Sequence, residues 1–309
     1  MFHVKPTDKA VPNSDFGMDT PLARELADLS SRRKALSDVS VSFEGSPRVF
    51  TVSNQKGGVG KTTTAVNLAS ALADLGAQVL VVDLDPQGNA STALGVKHTA
   101  DTASIYDVLI DERPFAEVVQ QSPESPNLFC APSTIHLAGA EIELVSQVAR
   151  EFRLRRALQS YLKDNPKDIV IIDCPPSLGL LTINAFTAAS EVLIPIQAEY
   201  YALEGLSQLL GSIQMIQKHL NPELQLSTIL LTMFDARTRL SQQVSDEVRA
   251  HFPDQALKAV IPRSVRVSEA PSFGQTVINY DGTSAGAVAY REAAVEIAQR
   301  HTAAQKQGA

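Results

Sequence analysis

The chain has 309 residues, of which 44% are hydrophobic and 20% charged, and its formal net charge is −7. This composition is typical of a globular protein with a large buried core, arranged as one large α/β domain or two smaller ones. A disulfide framework is not expected, because the only two cysteines lie far apart in the sequence. No secretory signal is visible, and no apolar run approaches the ~18–20 residues of a membrane span. These features favour a cytoplasmic protein.

The net negative charge comes entirely from the first two thirds of the chain. From residue 200 onward there are ten Lys or Arg and ten Asp or Glu residues, so that part is neutral. An acidic chain is by itself a poor partner for nucleic acid, but a local basic surface in the C-terminal part remains compatible with these counts.

Residues 1–47 are polar and rich in Ser, Asp and Pro, and they predict an N-terminal extension. Within it, Thr20 can cap a helix and Pro21 suits its first turn. Leu22, Leu26 and Leu29 then fall on one helical face. The helix either docks on its own domain or serves as a partner-binding or regulatory arm.

Helical and strand-like segments alternate from residue 48 onward. The strand-like segments are short, apolar and β-branched, as in RVFTVSN, QVLVVDLD, DIVIID, EVLIPIQ, LSTILLTMF and LKAVIP. Continuous apolar strands alternating with helices predict an α/β fold, with a mostly parallel twisted sheet covered by helices on both faces. Ligands should bind at the carboxyl ends of the strands.

The segment NQKGGVGKTTT follows the first strand and opens a helix, which is the setting of a phosphate-binding loop. Its glycines let backbone N–H groups approach phosphate oxygens, and the helix adds its positive N-terminal end. Lys61 should reach the β- and γ-phosphates of a nucleotide, and the Thr62 hydroxyl should bind Mg²⁺, so the predicted fold is P-loop NTPase-like. The predicted nucleotide-binding residues of this loop are Lys56, Gly57, Gly58, Val59, Gly60, Lys61, Thr62 and Thr63.

Three aspartates follow apolar strands and complete the predicted ATPase site. Asp173 ends the segment IVIID, where it can hold a Mg²⁺-bound water. Asp83 and Asp85 end another strand at alternation distance, and Asp85, on the following turn, could orient an attacking water. Thr62, Asp83 and Asp173 are therefore the predicted metal ligands, with strand-end capping as the alternative role for Asp83 and Asp85.

These motifs together resemble the ParA/Soj chromosome-partitioning ATPases, which have a deviant Walker A loop. The resemblance covers about residues 48–300 and is carried by KGGVGKTT, DLDPQGN, DCPPS, EYYALEGL, LLTMFDART and IPRSVRVSEAPSFGQ. It implies a single Mg²⁺-dependent ATPase domain over 48–309, a nucleoid-associated location and a ParB-type partner that stimulates hydrolysis. The loop alone would indicate only the wider group that includes MinD and the nitrogenase iron protein.

The resemblance also implies a role for the second lysine of the loop. In the family, the residue at the position of Lys56 reaches across a dimer interface to the partner's ATP. Lys56, Lys61 and Asp85 are accordingly the predicted catalytic residues of an ATP-dependent homodimer. The segments TMFDAR and VIPRSV border the adenine in the family, which makes Met233 and Pro262 candidates there, with ordinary strand-end packing as the alternative.

The family's ATP dimer binds double-stranded DNA nonspecifically, which needs phosphate neutralisation but no reading of bases. Each candidate could also be a solvated surface charge, and Arg263 could instead serve the nucleotide. Gln214 stands where many relatives carry a basic residue. The DNA-binding candidates are Lys218, Arg237, Arg239, Arg249, Lys258, Arg263 and Arg266.

Two other functions remain as alternatives. A MinD-like membrane-associated ATPase would need an amphipathic C-terminal helix, but the chain ends RHTAAQKQGA, with no large apolar residue after Ile297. An ATPase that positions another cargo is barely separable from a partitioning protein by sequence. Cys130 and Cys174 are expected to be structural, because they lack the glycine-rich loops of the nitrogenase iron protein's cluster ligands.

Overall fold

The computed structural model describes residues 20–308 except 38, 44, 200 and 201, and it describes side chains except at 21, 22, 202–204 and 301–308. The chain divides into two compact units, one ending at Asp38 and one beginning at Val39.

The first unit contains helix α1, Pro21–Ser37. The backbone N–H of Ala23 donates to the Thr20 hydroxyl, as expected of an N-cap. Leu26 is exposed and Leu29 is half-buried, whereas the predicted partner in their stripe, Leu22, lies outside the described side chains. The helix therefore leaves part of its apolar face open within its own unit.

The second unit has eight strands and eleven helices among the described residues. Its strands are β1 (Arg48–Val52), β2 (Val79–Asp83), β3 (Gln120–Gln121), β4 (Leu128–Ala131), β5 (Ile169–Asp173), β6 (Glu191–Gln197), β7 (Gln225–Phe234) and β8 (Ala256–Pro262). Its helices are α2 (Lys61–Asp74), α3 (Asn89–Ala93), α4 (Ile105–Ile110), α5 (Leu137–Leu144), α6 (Arg153–Asp164), α7 (Leu180–Ala188), α8 (Ala202–His219), α9 (Arg239–His251), α10 (Val265–Glu269), α11 (Val277–Tyr280) and α12 (Ala285–Gly308). Short 3₁₀ turns occur at Phe115–Glu117, Arg150–Phe152 and Ala270–Phe273.

The strands form one sheet in the order β3-β4-β2-β5-β1-β6-β7-β8. All neighbours pair in parallel except β3, which runs antiparallel to β4 at the edge. The prediction of a mostly parallel, P-loop-like sheet is thus confirmed. The two-residue strand β3 was not predicted, since it is too short to produce a pattern.

Helices cover both faces of the sheet and create two hydrophobic clusters. One cluster packs α4 to α9 against one face, and the other packs α2, α3 and α10 to α12 against the opposite face. Burial on both sides explains why the central strands β2 and β5 are apolar throughout until their terminal aspartates. Val41 and Phe43 pack against the second cluster, so the unit begins before residue 48.

Candidate functional site

The loop between β1 and α2 is held by hydrogen bonds to two other strands, β6 and β7. Asn54 donates from Nδ2 to the carbonyl of Pro195 at 2.9 Å, and its Oδ1 accepts from the backbone N–H of Lys56 at 3.0 Å. From β7, the buried Thr232 hydroxyl donates to the Val59 carbonyl at 2.8 Å. These tethers hold the loop in one shape above the carboxyl ends of the central strands.

Two glycines of this loop adopt backbone conformations that other residues rarely take. Gly58 has φ 76° and Gly60 has φ 88°. Left-handed backbone at alternating positions makes a turn whose N–H groups converge, which is how a phosphate-binding nest is built. Gly60 directly precedes α2, so the positive end of that helix faces the same space.

The two lysines of the loop have different surroundings. Lys61 is buried, and its Nζ donates to the Lys56 carbonyl at 3.3 Å, beneath the curve of the loop. Burial lowers the Lys61 pKa, while the nearby Asp173 opposes that change. The Lys56 side chain is 48% exposed and forms an ion pair with Glu199, just after β6. Lys61 therefore faces the phosphate nest, while Lys56 lies at its outer edge.

Asp83 and Asp173 are register partners at the ends of β2 and β5, and both are fully buried. Oδ2 of Asp83 accepts from the Ser91 backbone N–H at 2.9 Å and from its hydroxyl at 2.7 Å, and Oδ1 accepts from Asp85 N–H at 3.1 Å. Neither carboxylate oxygen of Asp173 has a hydrogen-bond partner among the described residues. The contacts of Asp83 favour the capping alternative, and its role as a metal ligand stays a prediction.

The surroundings of the Asp173 carboxylate favour the binding of a cation. Burial raises its pKa well above the ordinary value and the charge of Asp83 adds to the rise, while the Thr62 hydroxyl and Lys61 oppose it. An ionised carboxylate without partners is costly in the protein interior. A Mg²⁺ ion bound by oxygen ligands at Thr62 and near Asp173 would remove that cost, so these residues fit the predicted metal.

Asp85 lies on the half-exposed turn after β2. Its Oδ1 accepts from the Gln87 N–H at 3.0 Å, which fixes the turn. This places Asp85 beside the carboxyl ends of the central strands, next to Asp83. Its assignment to orienting water stays a prediction.

Met233 and Pro262 end the neighbouring strands β7 and β8, where Phe234 is in register with Pro262. Met233 has φ 50°, an uncommon conformation for a residue with a side chain. Such strained backbone concentrates at binding sites, and the adenine contact stays a prediction.

The predicted DNA-binding residues lie toward both ends of the parallel strands, and their role stays a prediction. Arg237, Arg239, Arg263 and Arg266 lie at or after the carboxyl ends of β7 and β8, on the nucleotide side of the sheet. Arg266 lies 3.4 Å from Glu269 and 3.5 Å from Asp281, so acids partly neutralise it. Lys218, Arg249 and Lys258 lie toward the opposite edge, where Arg249 donates to the Lys258 carbonyl at 3.0 Å.

Both cysteines are buried and free. Cys130 lies in β4, and Cys174 follows β5, where its sulfur lies 3.0 Å from the Thr51 hydroxyl. Burial raises the pKa of Cys174 to about 12, so its thiol stays protonated and unreactive. Among the described helices, none combines the length and the hydrophobicity that a membrane crossing needs.

Sequence reasoning missed Asn54, Thr232, Ser91 and Glu199. Asn54 adjoins the glycine-rich loop and could have been suspected for that reason. The other three reach the site from distant strand ends or turns, and no local pattern marks them.

Comparison with known proteins places this geometry in a family. A family model described as "AAA domain" matches residues 47–226. The chain is 53% identical over 251 residues to the sporulation initiation inhibitor protein Soj of Bacillus subtilis, covering 81% of this chain and 98% of that protein. The chain belongs to the Soj/ParA family of chromosome-partitioning ATPases. This confirms the resemblance found in the sequence.

Further relatives agree with the assignment. The chromosome partitioning protein ParA of Myxococcus xanthus is 51% identical over 255 residues, covering 82% of this chain and 89% of that protein. A crystal structure titled cobyrinic acid a,c-diamide synthase from Mycobacterium smegmatis, with bound ADP and magnesium, is 38% identical with a TM-score of 0.70. The match covers 85% of this chain and 97% of that one.

Proposed function

We propose that this Soj/ParA-family ATPase hydrolyses ATP with Mg²⁺, and that its ATP-bound dimer binds duplex DNA without sequence preference. A ParB-type partner would stimulate hydrolysis and so release the dimer from DNA, and the protein would act at the nucleoid. The observation that carries the proposal is the difference in burial between the two lysines of the loop. Lys61 is buried under its own loop, whereas Lys56 lies half exposed at the rim.

The residues around the loop support hydrolysis by water attack on the γ-phosphate. Lys61 would hold the phosphates of its own subunit, and Thr62 with Asp173 would hold Mg²⁺. The metal would neutralise charge that develops on the phosphate oxygens. Asp85, on its fixed turn, would orient the attacking water.

Lys56 is the residue that would link hydrolysis to dimer formation. It cannot bind a partner's phosphates while it pairs with Glu199 of its own chain. Closure of a dimer would let Lys56 exchange Glu199 for a partner's phosphate, and the half-exposed Glu199 would then be left to solvent. ATP would then be enclosed between two protomers, and its hydrolysis to ADP and phosphate would let the protomers separate.

Partitioning is favoured over the other functions that this fold supports. Identity to the named partitioning proteins reaches 53% and 51%, against 38% for the protein titled cobyrinic acid a,c-diamide synthase. MinD from Pyrococcus horikoshii, at 24% identity, shares the fold alone. An ATPase that positions another cargo would use the same site. Stimulation of hydrolysis by a ParB-type partner is the property that would distinguish a partitioning protein from it.

The test uses a variant that binds ATP but hydrolyses it slowly. Asp85→Ala should accumulate as a dimer with ATP and Mg²⁺ in size-exclusion chromatography with light scattering. Adding Lys56→Ala should return it to a monomer that still binds ATP. Lys97→Ala, an exposed lysine outside the loop, is the matched control. An Asp85→Ala protein that stays monomeric when saturated with ATP would refute the shared-nucleotide dimer.

A further inference from the structure

A cleft of about 510 Å³ lies between the segment that follows α4 and the exposed side of α6. Its floor is aromatic, since the rings of Phe115 and Tyr161 lie 5.2 Å apart and both side chains are buried in the adjoining core. Its volume falls within the range of pockets that bind small ligands or anchoring side chains, roughly 300–1,000 Å³. No residue of the phosphate-binding loop lines it.

Arginines surround this cleft and are unequally paired. Arg153 is structural: its side chain is 10% exposed, and it donates to the Leu109 carbonyl at 2.6 Å and to Glu112 at 2.9 Å. Arg113 lies 3.7 Å from Glu117 and 4.0 Å from Asp107, so acids outside the lining of the cleft partly neutralise it. Arg156 is exposed and has no ion pair among the described residues.

The carboxylates of the cleft do not neutralise this arrangement. Glu112 is already held by Arg153. Asp164 lines the cleft from the far end of α6, eight residues after Arg156, which corresponds to about 12 Å along a helix. The neighbourhood of Arg156 therefore presents an unpaired guanidinium beside an apolar floor, in a chain whose overall charge is −7.

One rim of the cleft is an exposed apolar side chain. Val148 is 85% exposed and lines the opening, directly before Ala149, whose φ of 50° is unusual for a residue with a side chain. This side chain adds exposed apolar surface to the opening of the cleft, beside its aromatic floor.

We propose that this cleft, the Arg156 cleft, binds a protein partner through a short segment that carries Asp or Glu next to a large apolar or aromatic side chain. The apolar side chain would fill the space above Phe115 and Tyr161. The carboxylate would pair with Arg156 and Arg113, since guanidinium groups bind carboxylates in fixed planar geometry. Peptide grooves of this kind gain affinity from the buried anchor and specificity from the charge.

DNA is a poorer occupant of the Arg156 cleft. Duplex binding depends on neutralising many phosphates along a surface, and it gains nothing from a recessed aromatic floor. The cleft also reaches Asp164 and Asn165, at the end of α6 that precedes β5 and thus opposite the carboxyl ends where the phosphate-binding loop lies. Binding there should not require ATP.

The test begins with a phage-displayed library of random dodecapeptides selected on the full-length protein, with depletion on the Arg156→Glu variant. Selected sequences should contain Asp or Glu within about four residues of Phe, Trp or Leu. A fluorescein-labelled peptide of that type should bind at least tenfold more weakly to Arg156→Glu and to Val148→Asp, as measured by fluorescence anisotropy.

Two neighbouring positions provide matched controls. Arg155 lies in α6 next to Arg156, and Val145 is exposed on the segment that precedes α6. Neither residue lines the cleft. Arg155→Glu and Val145→Asp should leave peptide affinity within twofold of the wild type, and all four variants should keep the wild-type ATPase rate.

Three results would overturn the proposal. They are a library that yields no peptide distinguishing the wild type from Arg156→Glu, selected peptides that are basic, and equal weakening by the control variants. A 24-base-pair duplex is titrated in parallel. If Arg156→Glu weakens binding of the duplex more than Arg155→Glu does, the cleft is a nucleic-acid surface instead.

Discussion

Asp83 and Asp173 are register partners in adjacent parallel strands, yet only Asp83 has hydrogen-bond partners among the described residues. Two carboxylates that look alike in the sequence therefore have different roles in the structure. Asp83 ties β2 to the start of α3 through Ser91, whereas Asp173 faces the space beside Thr62 and Lys61 with both oxygens uncommitted. The difference leads directly to the first two predictions.

Replacing each aspartate by its neutral isostere should have opposite consequences. Asp173→Asn removes a buried carboxylate that accepts no hydrogen bond among the described residues, so stability without Mg²⁺ should be maintained or increased while ATPase activity is lost. Asp83→Asn turns an amide NH₂ toward groups that donate to Asp83, and it should be less stable than Asp173→Asn by about 1–3 kcal/mol. Urea unfolding in EDTA and a phosphate-release assay measure both quantities. Equal destabilisation by the two changes would contradict this distinction.

Stability without Mg²⁺ should fall as the pH rises from about 4 through 6. Burial raises the pKa of Asp83 from 3.8 to about 6 and raises that of Asp173 well above its ordinary value. The folded state then binds more protons than the unfolded state over this interval, so raising the pH removes protons that favour folding. Unfolding in EDTA at several pH values measures the slope. Because Mg²⁺ favours the ionised carboxylates, its stabilising effect should grow with pH, and a stability that rises from pH 4 to 6 in EDTA would refute the prediction.

Thr232→Val tests whether β7 holds the phosphate-binding loop. The change keeps the side-chain shape but removes the donor to the Val59 carbonyl, a bond of 2.8 Å. We expect a loss of about 1 kcal/mol in stability and a rise in KM for ATP that exceeds any change in kcat. Thr228→Val is the matched control, because Thr228 is buried in the same strand and its hydroxyl pairs with that of its neighbour Ser227 rather than with the loop. Similar KM values for the two variants would show that the tether does not position the loop.

The sequence was most informative where a function depends on neighbouring residues. The glycine-rich loop, the strand-end aspartates and the parallel sheet could all be predicted, because each has a local signature. The ion pair of Lys56 with Glu199 and the bond from Thr232 to Val59 span about 140 and 173 positions. Such contacts depend on the order of strands in the sheet, which local patterns do not encode.

Truncation should separate the N-terminal helix from the domain that follows it. Deleting residues 1–38 should leave stability and ATP binding unchanged, since Val41 and Phe43 remain to pack against the core. Deleting residues 1–47 removes both side chains and should cost about 1–3 kcal/mol. Thermal and urea unfolding of the two truncated proteins make the comparison. Equal stability would show that Val41 and Phe43 contribute little, and unchanged stimulation by a ParB-type partner after either deletion would argue against a regulatory arm.

The last prediction concerns DNA binding. The basic candidates lie toward the two opposite ends of the parallel strands, the carboxyl edge and the amino edge of the sheet. ATP acts at the carboxyl edge, so the set that includes Arg239 should carry ATP-dependent binding. Arg239→Glu should weaken binding to all duplexes alike. In a dimer it removes two contacts, so the slope of log K against log salt should become flatter by about 1.8, at roughly 0.9 per phosphate.

The control for this prediction is Lys258→Glu, an exposed charge toward the opposite edge. Arg266 is less suitable, because its ion pairs with Glu269 and Asp281 would also be lost. Gel-shift titrations at several salt concentrations, with unrelated duplexes and the Asp85→Ala dimer, measure affinity and slope together. If Lys258→Glu has the larger effect, DNA lies at the amino edge of the sheet. Binding that is equally strong without ATP, or strongly selective for one sequence, would contradict nonspecific, nucleotide-controlled binding at either edge.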